Sequence, residues 1–372
     1  MSKAAQNSTP QRIPLAAASR DGSAAVSAAP LLAKAPQLQA ALGAWYRAHR
    51  RRLPWREQPS LYKTVVSEFM LQQTQVETVL PYFDRWLKKF PDFKALAAAR
   101  EAAVMKLWEG LGYYRRARLL HALARDFIKL PAPPTTPEEW IELPGIGPYT
   151  AAAISSIAFS APAAVVDGNV VRVLARLLGN RMEFKDSSTA VKAFTPAANE
   201  LLDASNPGDH NQAMMELGAT VCTRRNPHCT ICPLVTACVA AAQGDPESLP
   251  RLAAKKMLRT ELTRLWIERD GALLLHRKAA TSRRLANQCE LPDATSLPSA
   301  IVDRTPLAIK RRTIVNQIFV ESIHRASLPK NAPDAAKNPG AGFIWATPAR
   351  LAQLTLSGPH RRWVEELRGR YH

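Results

Sequence analysis

Apolar residues recur at helical spacing through most of the first two thirds of the chain, with Pro or Gly breaking the pattern at intervals. This predicts helices over Leu61–Leu71, Val76–Phe90, Tyr113–Lys129, Tyr149–Phe159 and Asn169–Leu178, inside a helical domain spanning 37–242. Pro131, Pro133, Pro134 and Pro137 mark a loop within it. Residues 243–256 read as a linker, and beyond them the period changes. Leu262–Glu268, the pair Asp270-Gly271 and Ala272–His276 predict a β-hairpin on an Asp-Gly turn. A smaller α/β domain is therefore expected over 257–372. Residues 1–36, rich in Ala, Ser and Pro with four basic residues and only Asp21 acidic, read as a disordered arm. The fold class is thus mainly α, followed by a smaller α/β module.

Composition narrows the function. Apolar residues make 47% and charged residues 22% of the 372, as in a soluble globular protein, and the formal net charge is +19. That excess points to a polyanionic partner, nucleic acid being the commonest. Beyond Ser248 there are 22 Lys and Arg against 10 Asp and Glu. No apolar run is long enough to span a bilayer, and no secretory signal is apparent. A cytoplasmic protein at a bacterial nucleoid, with no membrane partner, is the expectation. The composition of residues 1–36 leaves an organellar or nuclear address open.

Four of the five cysteines fall within seventeen residues, as Cys222-x6-Cys229-x2-Cys232-x5-Cys238. Such clustering suggests a metal site in a reducing compartment. Four thiolates at these spacings can wrap tetrahedral zinc or a cubane iron–sulfur cluster, and spacing leaves the two at even odds.

Three further features carry chemistry. Leu143-Pro144-Gly145-Ile146-Gly147 precedes a helix starting near Tyr149; Gly145 and Gly147 permit a tight turn, and the helix-start amides can hold a phosphate. Glu68 sits in the apolar run Val65–Leu71, where burial would raise its pKa and suit a proton donor. Asp167 precedes the helical stretch from Asn169, where amides would hold it ionised. One neutral and one ionised carboxyl suit cleavage of a glycosidic bond.

Together these motifs closely resemble the adenine DNA glycosylases of the MutY family, within the helix–hairpin–helix glycosylase superfamily. The resemblance runs from about Leu38 to Ala241. It rests on Leu53-Pro54-Trp55-Arg56, Ser67 to Val76, Gly110-Leu111-Gly112-Tyr113-Tyr114, the Leu143–Gly147 hairpin, Val166 to Val170, and Asn211 to Gly218 ahead of the cysteines. It implies a [4Fe–4S] cluster on Cys222, Cys229, Cys232 and Cys238. It further implies that Glu68 protonates the departing adenine and that Asp167 stabilises the sugar cation, with Tyr149 and Asn169 beside it. Trp55, Arg56 and Gln212 would line the pocket of the flipped base, an amide being suited to an adenine edge. Gln72, Gln73 and Tyr113 would enter the vacated stack.

The resemblance also implies the substrate: duplex DNA with adenine mispaired with 8-oxoguanine or guanine, attacked by a monomeric enzyme of base excision repair. Val171 and Tyr149 stand where relatives carry a lyase lysine, so a monofunctional enzyme is expected. A thymine-removing glycosylase and a DNA-structure-binding protein without chemistry are the rivals. Glu68 argues against the first, and Glu68 with Asp167 against the second.

The C-terminal stretch resembles the family's Nudix-like module more loosely, through the hairpin, Trp345 and Leu356-Ser357-Gly358-Pro359. The Gly-rich stretch expected there reads Arg284-Leu285-Ala286-Asn287, and the lesion-reading triplet reads Ile314-Val315-Asn316. No Nudix hydrolase signature is visible. This module is expected to contribute mainly phosphate affinity, with modest preference for 8-oxoguanine over guanine.

Overall fold

A computed structural model describes residues 24–254, 257–279, 281–282, 287–314, 316–329 and 342–371. Its helices begin with α1 (Ala29–Leu32), α2 (Ala35–His49), α3 (Pro54–Glu57), α4 (Leu61–Leu71), α5 (Val76–Lys89) and α6 (Phe93–Ala98). There follow α7 (Glu101–Leu107), α8 (Arg115–Phe127), α9 (Pro137–Ile141), α10 (Pro148–Phe159), α11 (Gly168–Leu177), α12 (Ser187–Leu201), α13 (Pro207–Thr220) and α14 (Val239–Ala242). Strand β1 (Glu183–Phe184) lies among these helices. The remainder holds β2 (Arg251–Leu252), β3 (Leu258–Trp266), β4 (Glu268–Arg269), β5 (Ala272–Arg277), β6 (Cys289–Glu290), β7 (Ile301–Ile314), β8 (Gln317–Ser327) and β9 (Phe343–Ala346). Two helices close it, α15 (Pro348–Gln353) and α16 (Gly358–Tyr371).

The chain divides into two compact units that do not follow sequence order: 1–50 with 164–253, and 51–163 with 254–372. In the first, α2, α11, α12 and α13 enclose a core that includes Leu42, Tyr46, Leu174, Phe194 and Leu217. Residues 24–36, assigned to a disordered arm on composition, contribute to it. Val26, Ala28, Leu31 and Ala35 are buried, the first two in the segment ahead of α1, where Val26 N donates to Ala193 O on α12 at 2.9 Å. Residues 1–23 lie outside the described residues. The expected linker also joins this unit: β2 pairs parallel with β1, Glu183 against Arg251.

The second unit has a helical core around Phe69, Phe83, Trp86, Trp108, Leu120 and Trp140. Edge-on ring contacts, such as Trp86 with Trp108 at 5.4 Å, fill its centre. Two sheets follow, ordered β3-β8-β7 and β4-β5-β6, with β9 on β5. The hairpin turns at Asp270 and Gly271, both left-handed at φ 51° and 72°, as a two-residue turn of this kind requires. The expected first strand is split: β4 pairs with β5, whereas β3 pairs with β8, parallel and nine residues long. Periodicity cannot distinguish one strand bent between two sheets from a single hairpin arm.

Candidate active site

Helix α4 spans the predicted bounds and is capped by Ser60, whose hydroxyl accepts from Lys63 N at 3.3 Å. Val65, Val66, Phe69 and Met70 are wholly buried, and Glu68 among them is only 7% exposed, so its carboxyl has largely left water. Trp55, placed by Pro54 in the first turn of α3, packs edge-on against Phe83 at 5.0 Å. Arg56 beside it is half-buried, and its Nη1 donates to Arg51 O.

The chain leaves α4 through Gln72, whose amide donates to Thr150 Oγ1 on α10 at 3.3 Å, and through the exposed Gln73, left-handed at φ 56°. The loop carrying the exposed Tyr113 is also left-handed, with Gly110, Gly112 and Tyr113 at 105°, 72° and 47°. A single side chain ties the two loops together. Buried Arg116 donates to the carbonyls of Phe69, Met70 and Gln72 at the end of α4, and to those of Leu111 and Gly112. It also donates to Thr74 Oγ1 and lies 5.4 Å from the Tyr113 ring centre. Burial lowers its pKa to about 10. Its role was not visible in sequence, because most of its acceptors are backbone atoms, up to 47 residues away.

The predicted hairpin joins α9 to α10. Gly145 is left-handed at φ 80°, and a Cβ there would lie 2.7 Å from the Leu119 side chain. Gly147 has no such demand, since nothing lies within 4 Å of the Cβ it would carry. It caps α10, with Pro148 and the half-buried Tyr149 opening the helix. That open helix start is the geometry a phosphate contact needs.

In the first unit Asp167 caps α11. Its Oδ1 accepts from the amides of Asn169 and Val170, each at 2.8 Å, and its Oδ2 accepts from Asn169 Nδ2 at 2.9 Å. Arg172, one turn on, donates to Asn169 Oδ1 at 2.8 Å and to the carbonyls of Gly218 and Cys222. Gly218 lets α13 close on this point, since a Cβ there would stand 2.6 Å from Asn169 Cβ. Gln212, half-buried, lies on the same helix. The helix amides favour the charged form of Asp167 as expected, but they do not set its pKa alone. Loss of water around its carboxyl raises the pKa, and the three donors and Arg172 only oppose that rise. The places of Arg172 and Gly218 went unread in sequence.

Cys222, Cys229, Cys232 and Cys238 line one small pocket in the first unit, beside Arg176 and His228. Burial pushes the Cys232 thiol up to about 11 and raises Cys238 as well. Arg176 is fully buried and donates to Cys222 Sγ at 3.3 Å and to three carbonyls, with no carboxylate among its partners in the described residues. A buried cation facing four thiols suits an anionic thiolate–metal centre. Among the described residues no three of His, Cys, Asp and Glu lie close enough to hold one metal ion.

In the stretch aligned by resemblance with a lesion-reading triplet, Ile314 ends β7 and Asn316 O accepts from Leu258 N; Val315 and 284–286 lie outside the described residues. Trp345 on β9 carries the Arg269 guanidinium 4.3 Å from its ring centre.

Comparison with known proteins bears on all of this. An adenine DNA glycosylase of Schizosaccharomyces pombe is 43% identical over 218 residues, which cover 53% of this chain and 47% of that protein. One from Rattus norvegicus is 44% identical over 222 residues, covering 55% and 42%. The matched region thus spans less than half of either relative's length. Among solved structures, a thermostable thymine-DNA glycosylase superposes with a TM-score of 0.50 at 27% identity, covering 57% of this chain and 98% of that one. Residues 66–196, which hold Glu68, Gln72, Gln73, Tyr113, the hairpin, Asp167 and Asn169, match the HhH-GPD superfamily base excision DNA repair protein family. The chain is therefore similar to that superfamily over those residues, and its helical stretch is similar to the adenine DNA glycosylases within it.

Proposed function

We propose that the chain hydrolyses the N-glycosidic bond of adenine mispaired with 8-oxoguanine or guanine, acting as a monomer on duplex DNA. The observation that carries this is Asp167: a poorly hydrated carboxylate with three N–H donors on its two oxygens, within a matched segment that also buries Glu68. Glu68, short of water, delivers a proton to the departing base. Asp167 then faces the cationic sugar, and its raised pKa reflects the cost of holding that charge before the cation forms. Asn169 fixes its orientation and Tyr149 stands at the head of α10. Trp55, Arg56 and Gln212 are each assigned to recognition of the flipped base, and Gln72, Gln73 and Tyr113 to the vacated stack. With Val171 and Tyr149 at the lyase positions, the product strand stays intact.

The four cysteines are proposed to hold a [4Fe–4S] cluster whose role is to tie residues 222–238 together. The spacing Cys222-x6-Cys229-x2-Cys232-x5-Cys238, which resembles the family's cluster loop, favours iron–sulfur over tetrahedral zinc.

The thymine-DNA glycosylase neighbour favours the alternative that a pyrimidine is removed. Incubating the full chain with duplexes carrying A opposite 8-oxoguanine, G, C or T, and G opposite T, separates the two. Free adenine from the first two duplexes alone is expected. Free thymine with no adenine would establish the alternative.

A further inference from the structure

The C-terminal module is joined to the Tyr113 loop through one carboxylate. Glu109, 9% exposed at its side chain, precedes the left-handed Gly110. Its Oε1 accepts from Leu356 N at 3.0 Å and from Arg361 Nε at 2.9 Å, and its Oε2 accepts from Lys106 Nζ at 2.6 Å. Arg361 donates in turn to Leu351 O and Leu354 O, so its guanidinium fixes the segment from α15 to α16 while its Nε holds Glu109. Lys106 also donates to Leu354 O. Next to this contact, the buried Tyr114 donates its hydroxyl to Leu356 O at 3.1 Å and accepts from Gly110 N at 3.3 Å. A Cβ on Gly358 would lie 3.7 Å from Gly110 Cα, so the two backbones approach closely.

Three left-handed residues within four positions make this a loop that local forces alone do not hold, least of all at Tyr113, which has a Cβ. Arg116 fixes one side of it, through Leu111 O and Gly112 O. Glu109 and Tyr114 fix the other, and Leu356 and Arg361, which they bind, belong to the C-terminal module, more than 240 residues away in sequence.

We propose that Glu109 is a positioning residue through which the C-terminal segment Leu354–Arg361 sets the conformation of the Tyr113 loop. The functional part rests on the reading that Tyr113 enters the base stack. The module then does more than add phosphate affinity: it presets the element that replaces the flipped base, and part of its effect on excision is insensitive to salt.

Two measurements on the full chain test this. The first, amide hydrogen exchange without DNA, is independent of any activity. Arg361→Ala leaves the helical domain's own residues intact, and should speed exchange across residues 110–114 by about tenfold or more, as should Glu109→Ala. Tyr114→Phe, which removes only the hydroxyl, should do so to a smaller degree, and Arg361→Lys should restore part of the protection. Faster exchange confined to residues 351–361 would overturn the proposal. The second is single-turnover adenine release. Glu109→Ala should slow it about tenfold in the parent chain, but less than about twofold in a Tyr113→Ala background, because Glu109 acts through that ring. Equal slowing in both backgrounds would overturn the link to Tyr113. If the parent chain releases no adenine, the functional reading fails, and the exchange result alone decides the coupling.

Discussion

Two carboxylates that have both lost water behave oppositely. Glu321, wholly buried in the C-terminal module, lies 2.6 Å from Arg264 Nε and 2.5 Å from Arg312 Nε, and its pKa falls to about 2. Asp167 is met chiefly by neutral N–H groups, and its pKa rises. Around Glu321 lie Glu290 and His360, the latter kept neutral by burial and accepting from Leu291 N at 3.0 Å. The difference is the counter-cation. An enclosed carboxylate with guanidinium partners is a fixed structural anion. One without them stays costly to ionise until a positive charge arrives, which is what a developing sugar cation supplies.

The largest effect should come from breaking the first arrangement. Glu321→Gln leaves two buried arginines short of a charge, and should destabilise the module by roughly 3–5 kcal/mol in denaturant unfolding. A pH titration checks the same point. Because the folded pKa lies below the unfolded one, Glu321 contributes fully above about 4.5, and its contribution disappears as pH falls toward about 2. A variant as stable as the parent would mean that the ion cluster holds nothing together.

A smaller loss, about 1–3 kcal/mol, is expected for Gly145→Ala, which combines a left-handed backbone with a collision against Leu119 and Phe69. Gly147→Ala should cost under about 1 kcal/mol, so an equal loss at both positions would contradict the hairpin geometry.

The smallest change should have the opposite sign. Asp167→Asn keeps an equally good helix cap and removes a charge whose folded pKa is raised, so stability at neutral pH should stay level or rise by about 1 kcal/mol. The penalty it relieves exists only above the unfolded pKa, so the gain should vanish as pH falls below about 4. A clear loss of stability at neutral pH would place Asp167 with Glu321 as a structural anion.

How much of this was legible in sequence follows the range of the forces. Helix α4 and the Asp167 cap could be read because a period and a cap are decided within a few residues. The cysteine run could be read for the same reason. Arg116 and Glu109 could not, since most of their partners are distant in sequence and are brought near only by folding. Arg264 and Arg312 counted toward a basic surface in sequence, yet they lie inside or nearly so against Glu321 and Glu290. Charge tallies do not say which side of a sheet a residue faces.

The central claim is that Glu68 and Asp167 cleave the bond to adenine, and single-turnover release from a duplex with adenine opposite 8-oxoguanine tests it most directly. Glu68→Gln and Asp167→Asn should each slow release by at least about a hundredfold while duplex binding stays within a few-fold of the parent. Near-parental release by either variant would remove that carboxylate from the chemistry and contradict the account.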